Sequence, residues 1–459
     1  MNRIKSGFID NLNMILATDF YQLTMSAAYY QYNLENNIDE SNEDATFELF
    51  IRQFPKNRNY LIFAGLEPVI YYLSNTRFSE RTVNFLKEKE VFKNIDSSFF
   101  KDYLPNFKFK LNVWAMKEGQ FFFPNEPIIR VQGPIIHAQL AETYLLNVIN
   151  YQTLVASKAS RIRNIAPNKV LLEFGTRRSH SPLAGVYAAR ASYIAGFDGT
   201  SNVIADLELG INSSGTMAHS FVQRFNDENE SFNLYCRLYG KDSILLIDTY
   251  DTEKGAKKSC KYGNIMKGVR IDSGDLIEHS KKVRRILDNN GCKDVIIVAS
   301  SDLNEYKIEN IVKQKAPIDA FGVGTELVTS SDDPTLSGVY KLMEYNGIPK
   351  IKTSEEKLTY PGIKQIFRRY DVNGRFKEDI LALENEKNPS NSEPLLVPIM
   401  QKGKIVYKFP KLDEIRDYYL KNIERLPENY KYLNRNQLFE LQISDKLQAL
   451  TNSLKVKYQ

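Results

Sequence analysis

The sequence predicts an α/β protein built on an irregular (β/α) barrel. An N-terminal α/β domain is expected over 1–140, the barrel over 141–345, and a C-terminal extension over 346–459 that is largely helical at its end. Three observations carry this. From residue 170 onward the short apolar runs VLLEFGTRR, YIAGFDGTSN, SSGTMAHS, ILLIDTYD, GVRIDSGD, VIIVASSD and DAFGVGTE each end in a polar or glycine-bearing tip. Between most of them lie helix-like stretches such as LAGVYAARASY, DLIEHSKKVRRILDNN and LNEYKIENIVKQ, the alternation of a parallel sheet. Seven or eight such units within roughly 180 residues favour closure into a barrel over a doubly wound open sheet.

Before the barrel, an amphipathic opening (FYQLTMSAAYYQY), a polar loop and short β-like runs such as ATFELFI and NVWAM indicate a mixed α/β unit. The segment from Pro134 to Ala166 keeps helical spacing, interrupted at most once, and reads as one or two helices leading into the barrel. Past residue 345 the alternation fades into charged, turn-bearing text. The last fifty residues read as a basic, solvated helical tail broken at Pro427.

Bulk properties agree with a folded protein of two or three structural units. The 459 residues are 42% hydrophobic and 25% charged, as in ordinary globular chains. A net charge of +5 is too small over this length to imply nucleic acid or an anionic membrane. The three cysteines, Cys236, Cys260 and Cys292, lack disulfide or zinc-ligand spacing and fit a reducing cytoplasm. The N-terminal apolar content is broken by Asp10, Asn11 and Asn13, so no signal segment is expected, and no run of 18 apolar residues suggests a membrane span.

In a barrel the C-terminal strand ends line one mouth, so the tips should converge. FGVGTE, with Gly322, Gly324 and Thr325, is either a tight turn or a phosphate site whose glycines let backbone N–H groups approach an anion. RIDSGDL puts Arg270, Asp272 and Asp275 around a Ser-Gly turn, where carboxylates suit ribose hydroxyls or a magnesium ion held jointly with phosphate. Asp275 has two readings, the same carboxylate role or the cap of a helix starting at Leu276. Arg177 and Arg178 offer forks for a carboxylate or phosphate, though adjacent side chains point apart. His219, in GTMAHS among Ser213, Ser214, Thr216 and Ser220, has no companions for a metal site and is left as an ordinary hydrogen-bonded side chain, an acid, a base or a phosphoryl acceptor.

Taken in order, ATDFYQLTMSAAYYQ, FELFIRQFPKNRNYLIFAGLE, EFGTRRSHSP, GFDGTSNV, GTMAHSF, GVRIDSGDL and FGVGTELVTS followed by GVYKL make the chain resemble the nicotinate phosphoribosyltransferases over most of its length. The resemblance implies the type II phosphoribosyltransferase fold and a homodimer with active sites near the subunit boundary. It also implies formation of nicotinate mononucleotide and pyrophosphate from nicotinate and phosphoribosyl pyrophosphate, coupled to ATP hydrolysis with Mg2+, in NAD salvage. By motif, His219 is the residue phosphorylated from ATP, and Tyr21 is lent by the partner subunit to stack on the pyridine ring. Arg177 lies on the ring's other side, and Thr216 is a contact to the carboxylate. Arg270 and Asp272 face ribose and phosphate, Gly322, Gly324 and Thr325 hold the 5′-phosphate, and Lys341 is a further phosphate contact.

Two neighbouring readings remain beside it. A nicotinamide phosphoribosyltransferase carries an acid where Ser201 stands, and an aspartate there would bind a carboxamide NH2 and repel a carboxylate, so Ser201 favours the acid substrate. A catalytically silent binding protein on the same scaffold would be expected to lose His219 or the aspartates, which this chain keeps.

Overall fold

The computed structural model describes residues 13–352, 359–434 and 437–458. The expectation of no signal segment therefore concerns residues that mostly lie outside the described ones, as does part of the charged text after 350. No helix among the described residues is long and apolar enough to cross a membrane.

The barrel sheet is parallel and has six strands: Val170–Glu173, Gly199–Thr200, Ile244–Leu246, Gly268–Ile271, Ile296–Ala299 and Ala320–Val323. In space they run 199–200, 170–173, 320–323, 296–299, 268–271, 244–246, so the first and last strands of this order are not hydrogen-bonded to each other. This is one unit fewer than the seven tips suggested. SSGTMAHS forms no strand; only Ser213 makes an isolated parallel bridge to Thr200. The run is mostly small and polar, with only Thr216 and Met217 suited to a pleated surface, so it spans the gap as irregular chain.

The N-terminal sheet draws on the whole chain. Its strand order is 348–349, 338–345, 45–51, 127–133, 112–115, 397–401, 404–405. Gly338–Tyr345, which contains GVYKL, pairs antiparallel with Ala45–Ile51, placing Lys341 opposite Glu48. Space and sequence therefore divide differently here: a strand that follows directly from the barrel completes the N-terminal sheet.

Helix Glu142–Ile165 joins the two units, after a break at Ala141 that separates it from Ile135–Leu140. Its polar residues anchor it: Ser157 Oγ accepts from Ile62 N at 2.9 Å, and Arg163 donates to Gly196 O and Asp198.

The C-terminal region differs from the solvated tail expected. Lys364–Tyr370, Phe376–Leu383, Ser392–Pro394 and Leu441–Ile443 form a four-stranded sheet, and the helices are Leu412–Arg425 and Asp445–Tyr458. The first of these docks on the barrel, with Tyr419 fully buried and hydrogen-bonded to Ser160, and Arg416 paired with Asp198 at 2.7 Å. Burying Tyr419 with its hydroxyl partnered removes a large apolar ring from water at no polar cost, which is what makes this helix part of the core.

Candidate active site

The strand tips enclose a cavity of about 540 Å³, lined by Arg177, Arg178, Ser201, Thr216, His219, Arg270, Asp272, Gly322, Gly324 and Thr325, together with Phe174 and Ser300 to Asp302. That volume suits a small organic ligand. Nine residues singled out for site roles in the sequence thus share one space, though they span about 150 positions of chain.

Each is placed by a local reason. His219 opens a short helix, His219–Gln223, and its Nδ1 lies 3.1 Å from Thr249 Oγ1 just beyond strand Ile244–Leu246. Nε2 points toward Asp272, 3.9 Å from Oδ2. Asp272 follows strand Gly268–Ile271; Ser300 donates a short hydrogen bond to its Oδ1, and its own N–H donates to Asp248 at 2.8 Å. Arg270 donates a short hydrogen bond to the Thr216 hydroxyl and lies 4.0 Å from Asp272. Burial lowers the guanidinium pKa from its usual value, while Asp272 and Asp248 act in the opposite direction. Gly322 has no room for a side chain, because a Cβ would run into the Phe174 ring. Ser301 and Asp302 both hold left-handed backbone, φ 113° and 42°, a conformation that non-glycine residues adopt at some cost and that aims this tip into the cavity.

Three expected site residues lie elsewhere. Asp275 is the N-cap of Leu276–Asn289: its Oδ1 accepts from Ile277 N at 2.9 Å and Glu278 N at 3.1 Å, which is the capping reading of this residue, and it does not line the cavity as the magnesium reading expected. Lys341 sits in the N-terminal sheet and does not line the cavity. Tyr21, on helix Phe20–Glu35, is 48% exposed, has its hydroxyl 3.5 Å from Glu142, and lies outside the cavity of its own chain.

Sequence reasoning passed over Phe174, Thr249 and Asp302. The signal for Phe174 was present, an aromatic residue directly before the GTRR tip; for Thr249 and Asp302 it was the polar tips DTYD and SSD, noted without a role. Among the described residues no group of three or more His, Cys, Asp or Glu is arranged to hold a metal by protein ligands alone. Asp272 and Asp302 do present hard oxygen donors to the cavity, the arrangement by which magnesium is shared between one or two carboxylates and a substrate's phosphates.

A parallel sheet whose tips bring a glycine-bearing turn, an Arg/Asp pair and a histidine to one cavity is consistent with the type II phosphoribosyltransferase fold. Residues 16–150, 170–359 and 388–451 match the N-terminal domain, the family and the C-terminal domain of nicotinate phosphoribosyltransferase (NAPRTase). The chain belongs to that family. It is 40% identical over 440 residues to a nicotinate phosphoribosyltransferase of Mycobacterium tuberculosis, covering 94% of this chain and 92% of that one. Against the Bacillus subtilis nicotinate phosphoribosyltransferase it is 37% identical over 480 residues, covering 96% and 95%. The crystal structure of human nicotinic acid phosphoribosyltransferase superposes with a TM-score of 0.84 at 28% identity, over 95% of this chain and 99% of that one.

Proposed function

We propose that the chain transfers the phosphoribosyl group of phosphoribosyl pyrophosphate to nicotinate, giving nicotinate mononucleotide and pyrophosphate in NAD salvage, with ATP hydrolysis coupled through a phosphohistidine at His219. The observation that carries this is the shared cavity: His219, the Arg270/Asp272 pair and the Gly322 to Thr325 turn face one volume.

The chemistry asks mainly for placement and charge. The pyridine nitrogen's lone pair forms the bond to the anomeric carbon as the bond to pyrophosphate breaks, and no proton need move. Asp272 supports the cationic sugar, and Arg270 meets phosphate oxygens. Phe174, the one aromatic among the described lining residues, supplies an apolar wall for the ring, while Arg177 and Arg178 supply positive charge for its carboxylate. Ser201, with its hydroxyl 3.4 Å from that of Thr176, adds no negative charge, which favours nicotinate over nicotinamide. Magnesium, when bound with the pyrophosphate, neutralises the leaving group's charge; Asp272 and Asp302 are the residues that would hold it.

With Nδ1 beside the Thr249 hydroxyl, Nε2 is the nitrogen open to the cavity, free to attack the terminal phosphorus of ATP as ADP leaves. Water later takes the phosphoryl group. Tyr21 supports a homodimer in which the ring is contributed in trans: it is exposed, is absent from its own cavity, and follows the similarly exposed Phe20. The exposed apolar residues Val203 and Leu207, on the helix just after Ser201, offer a surface for the second copy beside the mouth. A cytoplasmic setting completes the reading.

The test is direct. Purified protein given nicotinate and phosphoribosyl pyrophosphate should form nicotinate mononucleotide and pyrophosphate, faster with ATP. Given γ-labelled ATP it should acquire acid-labile label, and His219→Ala should acquire none. Full labelling of that variant would remove His219 from the scheme.

A further inference from the structure

Glu173 ends strand Val170–Glu173 beneath the cavity, is fully buried and does not line it. Parallel pairing sets it beside Thr200 on one side and Val323 on the other. One carboxylate oxygen accepts a short hydrogen bond from Gly175 N, and the other accepts from the Thr200 hydroxyl at 2.6 Å. Its own carbonyl accepts from Ser201 N at 2.8 Å. The chain of bonds continues outward. Thr200 Oγ1 accepts from Asn202 N at 3.0 Å, and Thr200 O accepts from Ser214 N at 2.7 Å, which anchors the segment leading to Thr216 and His219.

A buried carboxylate is costly, and burial pushes the Glu173 carboxyl above the usual range, with the bonds from Thr200 and Gly175 opposing. A glutamate that served packing alone would be replaced by an apolar side chain at a gain. What this one supplies is two acceptor oxygens aimed at two different tips, one carrying Phe174 and Arg177 and the other Ser201. We infer that Glu173 is a positioning residue of the nicotinate half of the site, fixing the Phe174–Arg177 tip against the Ser201 tip through hydrogen bonds to Gly175 and Thr200. The inference rests on the proposed assignment of that half of the cavity to nicotinate.

Three variants test it. Glu173→Gln keeps the bonding, since its amide oxygen can accept from Gly175 and its NH2 can donate to the Thr200 hydroxyl; Glu173→Ala removes both arms; Thr200→Val removes one. Expected for Glu173→Ala is a rise of roughly tenfold or more in KM for nicotinate, with KM for phosphoribosyl pyrophosphate within about twofold and kcat also reduced. Thr200→Val should show a smaller rise of the same kind, and Glu173→Gln should stay within about threefold of the parent. Equal rises in both KM values, or a Glu173→Gln as impaired as Glu173→Ala, would overturn the inference.

Amide hydrogen exchange gives a readout without substrate, and Thr200→Val supplies it should Glu173→Ala fold poorly. Exchange should quicken in 174–178 and 199–203 for the Ala and Val variants, while 320–323 and the Gln variant stay as the parent. Unchanged exchange in those tips would overturn the inference even if nicotinate is turned over. A parent protein inert toward nicotinate, with the exchange pattern as expected, would overturn only the proposed function.

Discussion

Glu305, Lys158, Arg58, Arg161 and Asp332 form one charged group of the barrel; His219, Arg270 and Asp272 form another. In the first, Lys158 Nζ lies 2.9 Å from Glu305 and 2.6 Å from Asp332, Arg58 lies 2.7 Å from Asp332, and Arg161 Nε lies 3.1 Å from Glu305. Four of the five are essentially buried. In the second, the side chains of His219 and Asp272 are 39% and 31% exposed and their closest approach is 3.9 Å. The first group has spent its charge on itself and ties helix Glu142–Ile165 to helix Glu305–Lys313 and to the segment after Val328. The second keeps its charge available to a ligand. Charge content alone does not mark a site; charge left without a close opposite partner, facing a cavity, does.

The sharpest break in this comparison is Glu305→Gln. It leaves Lys158 and Arg161 buried beside a neutral amide, and chemical denaturation should show a loss of about 3–5 kcal/mol. Stability unchanged would mean that the two groups are not different in kind. Next comes Asp272→Asn, for which kcat should fall by roughly 10²- to 10³-fold while the melting temperature holds or rises. A loss of stability matching Glu305→Gln would erase the contrast from the other side.

Asp275→Ala tests a residue on the border between the two kinds. As a helix cap it should cost about 1 kcal/mol of stability with little change in kcat, and a large drop in kcat with stability intact would restore it to the site. A further effect is with pH. Burial raises the Asp332 carboxyl, but Arg58 and Lys158 outweigh it and hold it at about 2, below its reference value of 3.8. A depressed carboxylate pKa stabilises the fold above the unfolded-state value and ceases to do so as pH falls through the folded one. The melting temperatures of the parent and Asp332→Asn should therefore differ at neutral pH and converge between about pH 4 and 2.

The barrel and its mouth were legible because alternating apolar runs and polar tips carry a local signal, and barrel geometry turns sequence-distant tips into neighbours. That brought Arg177, Ser201, Thr216, His219, Arg270, Asp272 and the 322–325 turn together. The C-terminal sheet was not legible for a specific reason. Its strands KQIFRRY and FKEDILAL look like charged surface, yet Arg368 and Asp379 are fully buried, bonded to each other across the pair of strands. A period-2 pattern is masked when the inward polar residues satisfy one another. Glu173 was hidden similarly, a buried acid whose partners are a backbone N–H and a hydroxyl supplied by a strand 27 positions away. Lys341 was misplaced because GVYKL continues the text of the barrel while its strand belongs to another sheet.

The unzipped side of the barrel also bears on the proposed coupling to ATP. Where residues 214–218 cross from the edge at Thr200 to the edge at Leu246, no interstrand ladder holds them, and a side chain at Gly215 would meet nothing within 4 Å. What secures that stretch near the second edge is a pair of side-chain handshakes, His219 with Thr249 and Arg270 with Thr216. A dianion placed on the imidazole would contend for both of them at once. Under the proposed phosphohistidine, the paired strands would stay as they are while the segment between them shifts, so the change at His219 would reach the cavity wall without any strand being unpaired.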